Sequence, residues 1–533
     1  MATTTSLSHA SSPSERPAAP TSTPSPTRYR WAAGIEGQRK ADLGNGTYLN
    51  PILPGDYPDP TVLKDGDDYY ITHSSFDASP GLLIWHSRDL VNWTPLTTAL
   101  DQPLGTVFAC DLIKHENRYY IYIPFLKAKW STKLEKPVSI WVIHAENMAG
   151  PWSEPVDLNI SGLIDPGHIV CEDGERYLFL SGINRVKLTP DGLSTVGKVE
   201  KVYDGWRYPA EWVTEAYALE GPKLIKRGGW LYMITAVGGT SGPATGHMVI
   251  CARSKTVNGP WENCPDNPIV RTYSDSERWW SRGHATAIEG PDGSWYLIYH
   301  GYENGLRTLG RQTLMEPITW TSDGWPKALG GDLSKPLPMS KQPSAAPKHG
   351  MARSDNFSQP AFGTRWAFFG GPNELRRAEF KGNALRLAGQ GTSPQDSAPL
   401  TQMVGDPNYE ISVHIDVIGD ATAGLLLFFT DRLFLGIGID GERMTTYRGG
   451  ARSHWPEPAP ATRSLWLKLV NLHNIVTFYY CEDGKSWVKH GVRSEVSGYN
   501  SNTVEYLASL RPALFCAGKG CAEFREFRYK AIP

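Results

Sequence analysis

Asp59, Asp165 and Glu220 each stand beside a proline or glycine just ahead of an apolar run: Tyr57-Pro58-Asp59-Pro60, Ile164-Asp165-Pro166-Gly167 and Leu219-Glu220-Gly221-Pro222. Asp111, in Ala109-Cys110-Asp111-Leu112, and His284, in Arg282-Gly283-His284-Ala285, hold the same place before similar runs. Asp-Pro and Glu-Gly-Pro are good turn initiators, so any one of these residues has an ordinary structural use. Several of them gathered by folding would suit another task. Glycosidic cleavage needs one carboxylic acid to protonate the leaving oxygen, and a second carboxylate to attack or to activate water. A third can keep the acid protonated near neutral pH by like-charge repulsion. Binding of a hard cation is the competing use, since carboxylates and histidine also make metal sites.

The elements that would gather these residues form a repeat. An apolar strand, a polar turn usually holding Gly or Asp, and an aromatic strand recur five times: Val62–Ile71, Leu112–Ile121, Ile169–Leu180, Leu224–Tyr232 and Ala287–Tyr299. Each copy is a hairpin signal, because Gly or Asn in the turn supplies a positive φ between strand-like runs. Most copies are followed by further strands and a Trp-containing turn, such as Leu82 to Trp93, Val138 to Trp152, Met248 to Trp261 and Thr308 to Trp320. Four strands per unit of roughly 40–50 residues predict propeller blades, here five. In a propeller the first strand of each blade begins beside the central channel, so the five polar residues above would converge there.

Composition sets limits on the rest. The chain has 533 residues, with 53 Lys+Arg against 55 Asp+Glu and a net charge of −2. No basic excess exists to drive binding to a phosphate backbone, which excludes nucleic acid as an expected partner. The 19 Trp, 24 Tyr and 16 Phe beside 53 Gly and 41 Pro fit short strands and tight turns, and argue against a helical bundle. No apolar stretch is long enough for a transmembrane helix, so no membrane partner is expected. Residues 1–30 are rich in Ser, Thr, Pro and Ala, which predicts a disordered tail and no secretory signal. The odd number of scattered cysteines, seven without a C-x-x-C pair, predicts free thiols in a reducing, cytoplasmic setting.

The run Asn50-Pro51-Ile52-Leu53-Pro54-Gly55-Asp56-Tyr57-Pro58-Asp59-Pro60-Thr61-Val62, continued by Gly66 to Phe76 and by His86-Ser87-Arg88-Asp89-Leu90-Val91-Asn92-Trp93, resembles the opening of glycoside hydrolase family 43. Ile164-Asp165-Pro166, Glu220-Gly221-Pro222-Lys223-Leu224, Gly283-His284-Ala285 and Leu309-Gly310-Arg311-Gln312 follow in the family's order. The resemblance covers about residues 45–335. It implies an inverting, exo-acting hydrolase with Asp59 as general base, Glu220 as general acid and Asp165 as modulator of the acid's pKa. Base and acid carboxyls would then lie roughly 6.5–9.5 Å apart to admit a water. Arg311 matches an arginine that contacts sugar hydroxyls. His284 matches a central-channel histidine beside a water or calcium ion, so a structural, water-mediated calcium is carried as an expectation and no cofactor is required. Phe108 stands where relatives often have Trp-Ala-Pro, and can still stack on a sugar. Asp111 has two open roles, substrate contact or bonding to backbone amides at a strand start. Phe76 and Trp85 are sugar-platform candidates, and Trp279-Trp280 belongs to either the site or the core.

Residues 336–353, with Pro336, Pro338, Pro343 and Pro347, read as an extended linker that ends a propeller of residues 31–335. Residues 354–533 carry alternating runs, including Tyr409–Val417, Ile475–Tyr480 and Phe524–Tyr529, which predict an all-β sandwich. This segment resembles the jelly-roll, concanavalin-like module attached to family 43 β-xylosidases, which can send a loop over the pocket. Asp483-Gly484-Lys485-Ser486-Trp487 is similar to part of a sialidase Asp-box and also reads as a plain hairpin turn. The expected activity is release of terminal D-xylose from β-1,4-xylooligosaccharides. α-L-Arabinofuranosidase or dual activity is the nearest alternative, and a non-catalytic carbohydrate-binding propeller is an alternative of another class. Oligomeric state is left open.

Overall fold

The structure, a computed structural model, describes residues 29–171, 173–340, 347–453 and 462–533; the expected tail lies almost wholly outside them. Five antiparallel sheets follow one another along the chain. Blade I is Thr61–Asp65, Asp68–Thr72, Gly81–Ser87 and Thr94–Leu100, and blade II is Asp111–His115, Arg118–Leu126, Val138–Ala145 and Val156–Ser161. Blade III is Gly167–Val170, Arg176–Leu180, Asn184–Leu188 and Thr195–Lys201. Blade IV is Glu220–Arg227, Trp230–Val237, Met248–Ser254 and Glu262–Asn263, and blade V is Trp279–Glu289, Trp295–Glu303, Arg311–Trp320 and Pro326–Ala328. The five repeated hairpins are thus the first two strands of the five blades.

Inner strands such as Arg118–Leu126 and Trp230–Val237 are covered by neighbouring blades and buried nearly throughout, whereas an outermost strand such as Thr195–Lys201 faces solvent. Ile71 and Trp85 of blade I meet Ile298 and Met315 of blade V in one buried cluster, and Leu82, Ile84, Leu112 and Ile121 join blades I and II in another. Each such side chain taken from water stabilises by about 1.5–3 kcal/mol. Among the described residues no blade borrows a strand from the far end of the chain. The ring is held instead by interblade packing and by the segment before blade I: the Ile52 amide donates to Thr313 O at 3.0 Å and the Tyr57 amide to Arg311 O at 3.1 Å.

The C-terminal unit is a sandwich of an eight-stranded and a seven-stranded sheet. Strand Asn408–Ile418 alternates buried and half-exposed residues, as a strand with one face on the core must. Asp483 accepts from the Lys485 and Ser486 amides at 2.8 and 2.7 Å, in a hairpin turn.

Propeller and sandwich are tied together. Ala78–Ser79, between the second and third strands of blade I, pairs with Ala367–Phe369 and so edges the larger sandwich sheet. Arg39 bonds Glu303 and Gln312 of blade V at 2.7 Å each, and also Gly405 O at 2.8 Å. The expected linker is no free spacer: Leu337–Pro338 pairs with Thr47–Tyr48, and the Gly350 amide donates to Trp93 O at 2.8 Å. Among the described residues no helix is long and apolar enough to cross a membrane.

Candidate active site

The channel ends of the blades bring Asp59, Asp165, Glu220 and His284 together, and the backbone shows how. Asp59, Asp165 and His284 have φ of 55°, 58° and 60°, a left-handed conformation that non-glycine residues seldom adopt. Gly221, after Glu220, has φ 63°, and the pairing of blade IV's first two strands slips between Glu220 and Lys223. The Pro and Gly residues in the sequence mark these kinks, which turn side chains out of the sheet plane towards the axis.

Asp59 is buried and held from several blades. Arg311 reaches it with both terminal nitrogens, Nη1 to Oδ1 at 3.0 Å and Nη2 to Oδ2 at 3.2 Å, and the Ser74 hydroxyl donates to Oδ2 at 2.5 Å. His300 Nδ1 lies 3.1 Å from both the Asp59 amide and Asp59 Oδ1, and its Nε2 lies 3.1 Å from Thr240 Oγ1. His284 Nδ1 is 3.5 Å from Asp59 Oδ1. Burial is the largest influence on Asp59 and would raise its pKa, but Arg311 together with His284 and His300 outweighs it and holds the carboxyl well below its usual range. Burial lowers His284 to about 3 and His300 to about 4, so both rings are neutral at neutral pH. Arg311 therefore supplies the stabilising charge.

Asp165 and Glu220 are displaced the other way. Burial first, and then the charge of Asp59, raises Asp165 to about 7. Its Oδ2 accepts from the Gly221 amide at 3.1 Å, which places it beside the acid's own backbone. Burial, then Asp165, then Asp59 push Glu220 well above the carboxylate range. His247, stacked on His300 with ring centres 5.3 Å apart, has Nδ1 3.9 Å from Glu220 Oε1 and is itself kept neutral by burial. One carboxylate is fixed as an anion and another is kept protonated, which is the division of labour that acid–base cleavage of a glycoside requires.

The remaining expected residues fall into two groups. Phe76, with φ 49°, meets Phe108 edge to face at 5.7 Å and lies 5.7 Å from the Arg311 guanidinium carbon, so Phe76 stands beside the arginine that holds Asp59 and Phe108 packs against it. Asp111 is drawn into the fold instead: its carboxylate takes Lys223 Nζ at 2.7 Å, Thr61 Oγ1 at 3.2 Å and the His168 amide at 2.7 Å. Its backbone-tying role is the one the geometry supports, because these bonds join blades I to IV and engage both oxygens. Trp85 is not a sugar platform, since it is wholly buried in an interblade core, and Trp279 takes the core reading of its two, being wholly buried in another. Trp280 is half-buried and donates to Asp275 O. For calcium, the buried Nε2 of His284 has no bonding partner, yet among the described residues no three His, Cys, Asp or Glu side chains surround one point. A calcium at His284 would therefore be held through waters and not by a protein cage, as the resemblance implies.

Residues that the sequence reading did not single out also shape the site: Ser74 lies within the Gly66 to Phe76 run, His247 follows the Gly242–Gly246 turn, and His300 sits in mid-strand. Tyr506 of the sandwich lies 6.3 Å from Phe76 and donates to Asp77 Oδ2 at 2.7 Å. The sandwich segment that carries it also sends the Leu510 amide to Thr308 O at 2.8 Å, beside the turn that precedes Arg311.

Fold and site together define a glycoside hydrolase with separate acid and base carboxyls on a five-bladed propeller. The chain belongs to glycosyl hydrolases family 43, whose profile matches residues 48–326, and residues 354–530 match the β-xylosidase C-terminal concanavalin A-like domain. It is 31% identical over 381 residues to the non-reducing end α-L-arabinofuranosidase BoGH43B of Bacteroides ovatus, covering 67% of each chain. Against the GH43 protein BlXynB of Bacillus licheniformis it gives a TM-score of 0.81 at 25% identity, over 91% of this chain and 100% of that one. Against a xylan β-1,4-xylosidase of Bacillus halodurans the TM-score is 0.79 at 25% identity, over 90% and 99%. Of three curated relatives it matches, the chain spans 54%, 57% and 67% of their length.

Proposed function

We propose that this protein removes terminal D-xylose from β-1,4-linked xylooligosaccharides with inversion at the anomeric carbon. Asp59, ionised under Arg311, takes a proton from a water molecule as the water oxygen bonds to the anomeric carbon. Glu220, protonated, gives its proton to the departing glycosidic oxygen as that bond breaks, and solvent then restores both carboxyls. Asp165 keeps Glu220 charged with its proton. Phe76, Phe108 and Arg311 border the sugar-binding end, with His284 beside the base. The observation that carries this reading is the opposite displacement of the Asp59 and Glu220 pKa values within one buried cluster. No step uses a cofactor. Seven cysteines without a disulfide support a reducing, cytoplasmic location.

Removal of α-L-arabinofuranosyl units is the second reading, favoured by the similarity to BoGH43B over two-thirds of the chain. Hydrolysis of the two p-nitrophenyl glycosides separates them, and a preference above tenfold for the arabinoside would put arabinofuranosidase activity first. The acid is tested by Glu220→Ala. Xylobiose hydrolysis should fall by about 10²–10⁴-fold and an activated aryl xyloside by less, because a good leaving group needs less proton donation. Xylobiose turnover within tenfold of the unmodified protein refutes the assignment.

A further inference from the structure

A chain of buried charge runs from the sandwich to the base. Arg511 opens the strand Arg511–Gly518 of the larger sandwich sheet, and its Nη2 donates to Asp56 Oδ2 at 3.1 Å. Asp56 Oδ1 accepts from the Arg311 amide at 3.0 Å, while the Tyr57 amide donates to Arg311 O at 3.1 Å. Arg311 then clasps both oxygens of Asp59. The four side chains are all nearly excluded from solvent, with relative exposures of 7% for Arg511, 2% for Asp56, 4% for Arg311 and 7% for Asp59. The approach of Asp56 also requires Gly310: a Cβ there would stand 2.3 Å from Asp56 Oδ1, and φ is +74°. Asp56 therefore fixes the start of the strand that carries Arg311, and Arg511 fixes Asp56.

We propose that Arg511 is a positioning residue for the general base: from the sandwich, through Asp56 and the backbone of Arg311, it holds the guanidinium square on Asp59. The sandwich then contributes to the chemistry of the propeller's site, and not only to the shape of its mouth. This inference rests on the assignment of Asp59 as base. Removing the Arg511 cation leaves Asp56 buried with less compensation. The tie to the Arg311 amide loosens, the two-nitrogen contact with Asp59 degrades, and the base holds its proton to higher pH. The groups facing Asp59 are Arg311, His73, His247, His284, His300, Cys110, Asp165 and Glu220, and those facing Asp56 are Arg511, Arg311 and Tyr302. Of these, only Arg511 lies on the sandwich.

The test is the pH dependence of kcat and kcat/KM on p-nitrophenyl β-D-xyloside or α-L-arabinofuranoside, whichever is turned over. The full-length variants are Arg511→Met, Arg511→Lys, Asp56→Asn, the Arg511→Met/Asp56→Asn pair and Asp59→Ala. Glu36→Gln serves as control, because Glu36 accepts from the Arg353 and Ser354 amides in another interunit contact. Expected for Arg511→Met is a loss of about 10–100-fold, chiefly in kcat, with the acidic limb of kcat/KM moved upward by about half a unit or more. Lysine should recover part of both effects, and the double variant should be no worse than the poorer single one. Glu36→Gln should keep the profile of the unmodified protein. A folded Arg511→Met variant with kcat within twofold and an unmoved acidic limb overturns the proposal, as do additive single effects or the same profile change in Glu36→Gln. If the methionine variant does not fold, Arg511→Lys and Asp56→Asn decide by the same limb. Activity of Asp59→Ala within tenfold would instead remove the base assignment itself.

Discussion

Asp165→Asn isolates the electrostatic part of the mechanism, because it removes a charge and keeps the shape. Asp165 Oδ2 lies 3.1 Å from the amide that follows Glu220. At an effective dielectric of about 20, two carboxylates about 5–8 Å apart repel by about 2–3 kcal/mol, or about 2 pKa units. Asp165 titrates near 7, so the full repulsion acts only at higher pH. In the amide variant Glu220 loses that repulsion and gives up its proton at lower pH. The alkaline limb of kcat/KM should therefore move down by about 1–2 units, while the acidic limb set by Asp59 moves much less. The measurement is a full pH profile on xylobiose and on an aryl xyloside, with the alkaline limb read on xylobiose, where proton donation matters most. An alkaline limb that stays in place or moves upward would falsify the claim that Asp165 raises Glu220.

The same substitution carries a stability signature. Asp165 has a folded-state value of about 7 against an ordinary 3.8, so between those pH values the native state holds a proton that the unfolded chain has lost. Stability contributed by that proton is lost as pH rises through the window, and Asp165→Asn should melt a few degrees above the unmodified protein at pH 8 but show a smaller gain at pH 5; equal gains at both would contradict the linkage. Gly310→Ala should lose about 1–3 kcal/mol in denaturant unfolding and most of its activity, because its Cβ meets Asp56 and its φ is left-handed. An unchanged unfolding midpoint would show that the Asp56 contact relaxes freely. Tyr506→Phe removes a 2.7 Å bond to Asp77 and should cost about 0.5–1.5 kcal/mol in the same assay. Asp77 keeps its bond from Thr106, so no larger loss is expected.

What could be read from the sequence was what turns and periodicity report. The hairpins announce themselves through Gly, Asp and paired aromatics, and Asp59, Asp165 and Glu220 sit at kinks that need Pro or Gly beside them. His300 lies inside a regular strand and His247 directly ahead of one, where a histidine facing the axis has the same local pattern as one facing a neighbouring blade. Trp85 shows the converse limit: an aromatic in an alternating strand reads alike as a platform or as core, and only the register of blade I against blade V buries it. Asp111 occupies the right strand start, but its partner Lys223 is 112 residues away. Arg511 and Tyr506 reach Asp56 and Asp77 across 455 and 429 residues, contacts that the docking of two separately patterned units creates.

The near balance of total charge hides a sorting of charges around the site. Asp59 has Arg311, Asp111 has Lys223 and Asp56 has Arg511, each buried carboxylate with a cation within 3.1 Å. Asp165 and Glu220 have an amide and a neutral imidazole for neighbours instead. A buried anion without a cation is costly, and the cheapest remedy is to take up a proton. Asp59 and Glu220 thus separate into an anion and a proton carrier according to which charges the blades deliver. Burial beside Asp165 and Asp59 keeps Glu220 protonated, with no arginine or lysine paired to it among the described residues, and a substitution that brought a cation within bonding distance would depress proton donation even with every other group in place.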